Sequence, residues 1–224
     1  MGSAASRLTI EEQSRVTDIF LSHAHLDHTK DIAFFAENVF TRVKSPVTVR
    51  GTADTLAKIN ENLLNNAIWP DFTALPSEAN SILRYEALEP GKPLRLKELE
   101  VLTVPVHHPG GCVAHFFASA TGTLLYTGDT GPTEAVWEEV NRRGTKMKAI
   151  LLETSFPNRL QEVAEVSGHH TPQSLAKELR KIKTEAPVFV YHLKAPYRDE
   201  TKKELEQVDD ARIHVLEAGI KIEF

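Results

Sequence analysis

Apolar and polar positions along this chain follow two periods. Short runs of β-branched and aromatic residues exchange with stretches in which apolar residues return every three or four positions. Thr17-Asp18-Ile19-Phe20-Leu21-Ser22 predicts a buried strand and Asp31 to Phe40 the helix after it, leaving His23 to His28 in a strand-to-helix loop. Leu56, Ile59, Leu63 and Leu64 recur at helical spacing until Trp69-Pro70 breaks the pattern. Val101 to Val106, Val113 to Ser119 and Thr123 to Thr127 predict successive strands, with Ala120-Thr121-Gly122 as the turn between the last two. A helix is expected from Thr133 to Arg143, stopped by Gly144, and another begins at Thr171-Pro172, with threonine as cap and proline in the first turn. Met147 to Glu153 and Val188 to His192 are short apolar runs of the kind that fill interior strands. Ile213 to Leu216 and Ile220 to Phe224 are read as a closing pair across Glu217-Ala218-Gly219. Strands interleaved with helices predict α/β layers, and with no repeat or low-complexity linker we expect one domain over residues 1–224.

Composition narrows the partners. Across 224 residues, 26 Lys and Arg face 31 Asp and Glu, a net charge of −5, so no general basic field is available to hold a long nucleic acid. The single cysteine, Cys112, excludes an internal disulfide and a cysteine-rich zinc knuckle. No run approaches the roughly twenty apolar residues of a membrane span, and no basic segment leads into an apolar one at the start. The expectation is a cytoplasmic chain without a membrane partner, its oligomeric state open between monomer and homodimer.

Chemistry is concentrated in His23-Ala24-His25-Leu26-Asp27-His28, three imidazoles and a carboxylate within six residues. In extended chain, residues two apart project the same way, so His23 and His25 can address one ion; once the chain turns, Asp27 and His28 can address a second. Imidazole nitrogen and carboxylate oxygen suit zinc, and iron or manganese would accept the same set. Further candidates stand at predicted strand ends, namely His108, Asp129, Glu153 and His192, and their clustering with His23 at one rim marks a site. His115 and His214 fall inside predicted strands and are read as packed or solvated.

The His23–His28 string resembles the H-x-H-x-D-H signature of the metallo-β-lactamase superfamily, and the resemblance continues in order through His108, through Asp129 in Tyr126-Thr127-Gly128-Asp129-Thr130-Gly131, and through His192 in Val190-Tyr191-His192-Leu193-Lys194. It implies that His23, His25 and His108 hold one ion, that Asp27, His28 and His192 hold the other, and that Asp129 bridges. His107 and His108 are adjacent and only one should ligate; the resemblance favours His108. Glu153-Thr154-Ser155-Phe156-Pro157-Asn158 and Gly168-His169-His170-Thr171-Pro172 resemble the E-[TV]-S-F-x-N and G-H-L-T-P segments of class II cyclic-nucleotide phosphodiesterases, with His170 in the place of the leucine.

What that branch implies is an αβ/βα sandwich with two zinc ions at one rim, hydrolysing a 3′,5′-cyclic nucleotide to its 5′-monophosphate by zinc-bound hydroxide. His169 would be the general acid, Glu153 its orienting partner, and Asp27 part of the catalytic platform. A tRNA 3′-processing endonuclease shares much of this pattern and is the alternative reading, although no basic arm is present. Only twenty-two residues precede His23, where the family has several strands and a D-x-G segment whose tail Met1-Gly2-Ser3 resembles. An N-terminally shortened sandwich is therefore expected, and a non-catalytic remnant of the fold is a third reading.

Overall fold

The computed structural model describes residues 7–217 and 219–224; Met1-Gly2-Ser3 and Ala218 lie outside them. The chain divides into two compact units, Met1–Glu89 and Pro90–Phe224, each with its own apolar core.

In the first unit helix α1 (Ile10–Gln13) is set by a capping box between Thr9 and Glu12. Strand β1 (Asp18–Phe20) follows, then α2 (Leu26–Val39), β2 (Val47–Gly51), α3 (Ala53–Asn62) and β3 (Leu83–Ala87). The three strands pair in parallel in the order β1-β2-β3. Ile32, Phe35, Ala36 and Val39 give α2 an apolar face that joins Val47, Val49, Leu56 and Ile59 in one core. Arg50 is buried in the middle strand, where its guanidinium meets Asp18 on β1 at 2.8 Å and Glu86 on β3. The cation is thus matched by a carboxylate on each neighbouring strand, the condition under which a buried charge is tolerated.

Two expectations change here. The helix after β1 begins at Leu26, five residues before Asp31, so Asp27 and His28 belong to its first turn and not to a loop. Its apolar stripe starts only at Ile32, and the polar residues ahead of it hid the true start. β1 itself is half-buried.

The second unit holds a sheet in the order β10-β9-β8-β7-β6-β5-β4. Strands β4 (Leu94–Leu96), β5 (Leu99–Pro105), β6 (Val113–Ala118) and β7 (Thr123–Tyr126) run antiparallel, the last two turning through residues 119–122 as expected. Helix α4 (Ala135–Arg143) ends at Gly144, whose φ of +55° places it where a side chain would be strained. Strands β8 (Met147–Glu153), β9 (Val188–Tyr191) and β10 (Ile213–Val215) then add in parallel to β7. Between β8 and β9 lie α5 (Gln161–Ser167) and α6 (Pro172–Leu179), and α7 (Arg198–Leu205) precedes β10. Thr171 caps α6 and Pro172 sits in its first turn, as the sequence predicts.

The closing hairpin is a further correction. β10 pairs in parallel with β9, and residues 220–224 form no strand: Ile220 is about half exposed, so pairing it would bury little. Among the described residues, no helix is long and apolar enough to cross a membrane.

Candidate active site

In the first unit the chain leaves β1 through Leu21, whose N–H is held by the Arg50 carbonyl at 2.8 Å. Ser22 and His23 are buried, and His25 is the N-cap residue of α2 with extended backbone. His23 Nδ1 meets the Ser22 hydroxyl at 3.1 Å, and its Nε2 lies 2.9 Å from His25 Nδ1. The His28 ring packs on that of His23 with centroids 4.4 Å apart, and Asp27 Oδ2 is 3.8 Å from His28 Nε2. Asp27 lies in the first turn of α2, where the helix dipole favours an anion.

In the second unit the other candidates hang from the ends of four strands of one sheet, three of them neighbours. His108 follows β5, Asp129 follows β7, Glu153 ends β8 and His192 follows β9, its φ of +69° turning the chain sharply out of the sheet. Of the adjacent pair, His107 is exposed, whereas His108 is buried and its Nδ1 meets the Gly168 carbonyl at 3.0 Å. A carbonyl only accepts, so Nδ1 carries the proton and the lone pair of His108 lies on Nε2.

Gly168 caps α5 in the left-handed region at φ +66°. A Cβ there would meet the His107 carbonyl oxygen at 2.9 Å, Pro109 Cδ at 2.9 Å and His108 Cα at 3.0 Å. The close passage of these two loops, which brings the His108 and His169 rings to 4.8 Å, therefore requires glycine.

His169 Nδ1 lies 2.7 Å from Glu153 Oε1, and both groups are buried. Burial, reinforced by the charge of Asp129, pushes the Glu153 carboxyl well above the usual carboxylate range, against donation from the Thr130 N–H, the Ser155 hydroxyl and the His170 N–H. A protonated carboxyl beside neutral imidazole and a carboxylate beside imidazolium differ only by which side of that 2.7 Å contact holds the proton. In both of these doubly protonated forms His169 carries a proton on Nε2, from where the pair can donate one.

Asp129 Oδ1 is 3.2 Å from His192 Nδ1, and Asp129, His169 and His192 each bring one donor atom within 4.8 Å of the others. The second unit thus gathers His108, Asp129, Glu153, His169 and His192, and the first gathers His23, His25 and His28 with Asp27 beside them.

His170, in place of the expected leucine, is fully buried with Nδ1 3.1 Å from the Ser174 hydroxyl, and burial pulls its pKa down to about 4. His115 is buried on the Thr103 hydroxyl, and His214 stands exposed on β10.

Two polar groups escape the sequence reading. Ser155 Oγ lies within hydrogen-bond distance of Glu153, His169 and His192, and Lys194 Nζ lies 3.2 Å from His192 Nε2. The E-[TV]-S-F-x-N segment marks Ser155 as a fixed position without saying what it touches, and Lys194 resembles any surface lysine.

Several known proteins are similar to this chain in sequence and structure. A Yersinia pestis protein named "Probable 3′,5′-cyclic-nucleotide phosphodiesterase" is 26% identical over 230 residues, which cover 90% of this chain and 65% of that protein. The chain therefore spans just under two thirds of that relative's length. The crystal structure of unliganded yeast PDE1 superposes with a TM-score of 0.80 at 22% identity, over 93% of this chain and 68% of that one. The metallo-β-lactamase fold protein YhfI from Bacillus subtilis superposes with a TM-score of 0.72 at 16% identity, over 96% of this chain and 79% of that one, so this chain has the metallo-β-lactamase fold. The family model of class-II cAMP phosphodiesterases matches residues 3–194, from ahead of the His23 motif to just beyond His192, and the chain belongs to that family.

Proposed function

We propose that this chain hydrolyses 3′,5′-cyclic nucleotides to 5′-monophosphates at a dinuclear centre, with zinc the favoured ion, in the cytoplasm where such substrates arise. The observation that carries the reading is the buried Glu153–His169 pair, at 2.7 Å, next to Asp129 and His192 in a chain of this family. The donor set fits a metal. Imidazole nitrogens and carboxylate oxygens are the ligands zinc accepts, His23 and His25 bring two nitrogens to 2.9 Å, and the Lys194 ammonium already places a cation against the His192 Nε2 lone pair.

In this reading His23, His25 and His108 would hold one ion and Asp27, His28 and His192 the second, with Asp129 serving both, as the family resemblance implies. Bound zinc supplies Lewis acidity, making water a better nucleophile near neutral pH and offsetting charge on the phosphoryl oxygens. The protein groups do the rest. A water oxygen bonds to phosphorus as the P–O3′ bond breaks, and His169 delivers its Nε2 proton to the departing 3′ oxygen while Glu153 holds the ring at Nδ1; of the two water protons one stays on the new phosphate oxygen and the other passes through solvent to restore the His169 proton. The buried setting keeps the pair's proton from bulk water.

The test is metal analysis of the purified chain together with turnover of cyclic AMP, cyclic GMP and a 3′-extended tRNA. The expected result is bound metal and release of 5′-monophosphate from a cyclic nucleotide. A metal-loaded chain inert on both nucleotides, or one that prefers the tRNA, overturns the reading.

A further inference from the structure

We propose that Ser155 is a positioning residue that fixes the tautomer of His192 and, through the same hydroxyl, ties that ligand to the Glu153–His169 proton donor. Ser155 is fully buried just beyond β8, with its N–H on the His170 carbonyl at 2.9 Å and its own carbonyl taking the Lys194 N–H at 3.2 Å. Its backbone therefore joins the loop after β8 to the residues following both His169 and His192. Its Oγ is 3.2 Å from Glu153 Oε2, 3.2 Å from His169 Nδ1 and 3.0 Å from His192 Nδ1.

A hydroxyl has one proton to give and two lone pairs with which to accept. The proton goes to Glu153 Oε2, a carboxyl oxygen. The His169 Nδ1 contact is engaged more tightly with Glu153 Oε1, at 2.7 Å, than with the serine. The lone pairs of Ser155 Oγ therefore face His192 Nδ1, which must supply a proton there. One other contact requires the same tautomer: the Lys194 ammonium, a donor, lies 3.2 Å from His192 Nε2. His192 is thus held with its proton on Nδ1 and its lone pair on Nε2, ready for a metal. Ser155 Oγ, at 3.0 Å, is the acceptor that holds that proton. Outer partners of this kind typically shift metal affinity by about ten- to a hundredfold.

The role of Ser155 in turnover rests on the phosphodiesterase reading, whereas the tautomer does not, and the experiment separates them. Imidazole nitrogens of the full chain are assigned by long-range proton–nitrogen correlation after chelation, and zinc affinity is measured by chelator competition. The wild type is expected to show His192 protonated on Nδ1. Ser155→Ala is expected to mix the His192 tautomers and to weaken the more loosely held zinc about ten- to a hundredfold, with Ser155→Cys between the two. Should the alanine variant fail to fold, the cysteine variant and the wild-type tautomer decide.

His192 protonated on Nε2 in the wild type, or unchanged tautomer and zinc affinity in the variants, overturns the proposal. If the expected tautomer and affinity changes occur in a chain that turns over no cyclic nucleotide, it is the function reading that falls.

Discussion

Replacing His169 with alanine removes the proton donor and leaves its surroundings largely in place. The His169 N–H is anchored on the Ala164 carbonyl at 2.8 Å, and Glu153 keeps the Thr130 N–H and the Ser155 hydroxyl, each at 3.2 Å. Burial already pushes the Glu153 carboxyl toward its neutral form, so losing the imidazole does not strand a full charge, and the variant should fold. General acid catalysis is worth roughly 10²–10⁴ in rate, about 3–5 kcal/mol of barrier at roughly 1.4 kcal/mol per decade. A ribose alkoxide depends fully on that proton, whereas nitrophenolate leaves readily as the anion. His169→Ala should therefore lose at least about a hundredfold in kcat on cyclic AMP and far less on bis(p-nitrophenyl) phosphate, with its metal content unchanged. Equal loss on both substrates refutes the proton-donor role. Loss of metal would instead make His169 a ligand, a role its place within 4.8 Å of Asp129 and His192 allows.

The purified chain should carry close to two metals, and Asp27→Ala should bring that toward one, because His23, His25 and His108 remain for the other ion; mass spectrometric metal analysis decides, and equal loss from both sites contradicts the assignment. His108→Ala should damage metal binding and turnover far more than His107→Ala, since His108 is buried on the Gly168 carbonyl and His107 is exposed; the reverse ranking moves the ligand to His107. Hydrogen bonds and charge from Arg212 hold the Asp210 carboxyl below its usual range. A depressed pKa stabilises the fold above the unfolded-state value and loses that contribution as pH falls through the folded one, so the Tm gap between wild type and Asp210→Asn should be steady near neutrality and close in acid. A gap that widens on acidification would contradict the ion pair.

Legibility followed burial on both faces. Met147 to Glu153 reads as an interior strand because it is apolar at nearly every position, and it is one. Val47–Gly51 is as buried, yet Thr48 and Arg50 make it look polar; Arg50 is tolerated only because β1 and β3 place Asp18 and Glu86 beside it, a fact of pairing and not of local sequence. The start of α2 was obscured for a related reason, since the ligand motif itself occupies the cap and first turn. At the site, spacing within six residues exposed His23 to His28, and strand ends exposed Asp129, Glu153 and His192. Period-two alternation says only that His107 and His108 point opposite ways, and the fold supplies the carbonyl that distinguishes them. Ser155 stood at the fixed serine of the E-[TV]-S-F-x-N segment, but its role was not legible there: its significance lies in contact with a residue 37 positions away.

The crossing at Gly168 bears on how the site breathes. With no side chain between the loops, the His107 carbonyl takes the Gly131 N–H at 2.8 Å while His108 Nδ1 holds the Gly168 carbonyl, so the segments carrying His108, Asp129 and His169 are latched at one point. Local opening that frees one must free the others. The Gly131 amide and the imidazole proton of His108 should then exchange with solvent in a single cooperative event rather than by separate fraying, and a bulkier residue at position 168 would pry the latch apart and speed the exchange of both together.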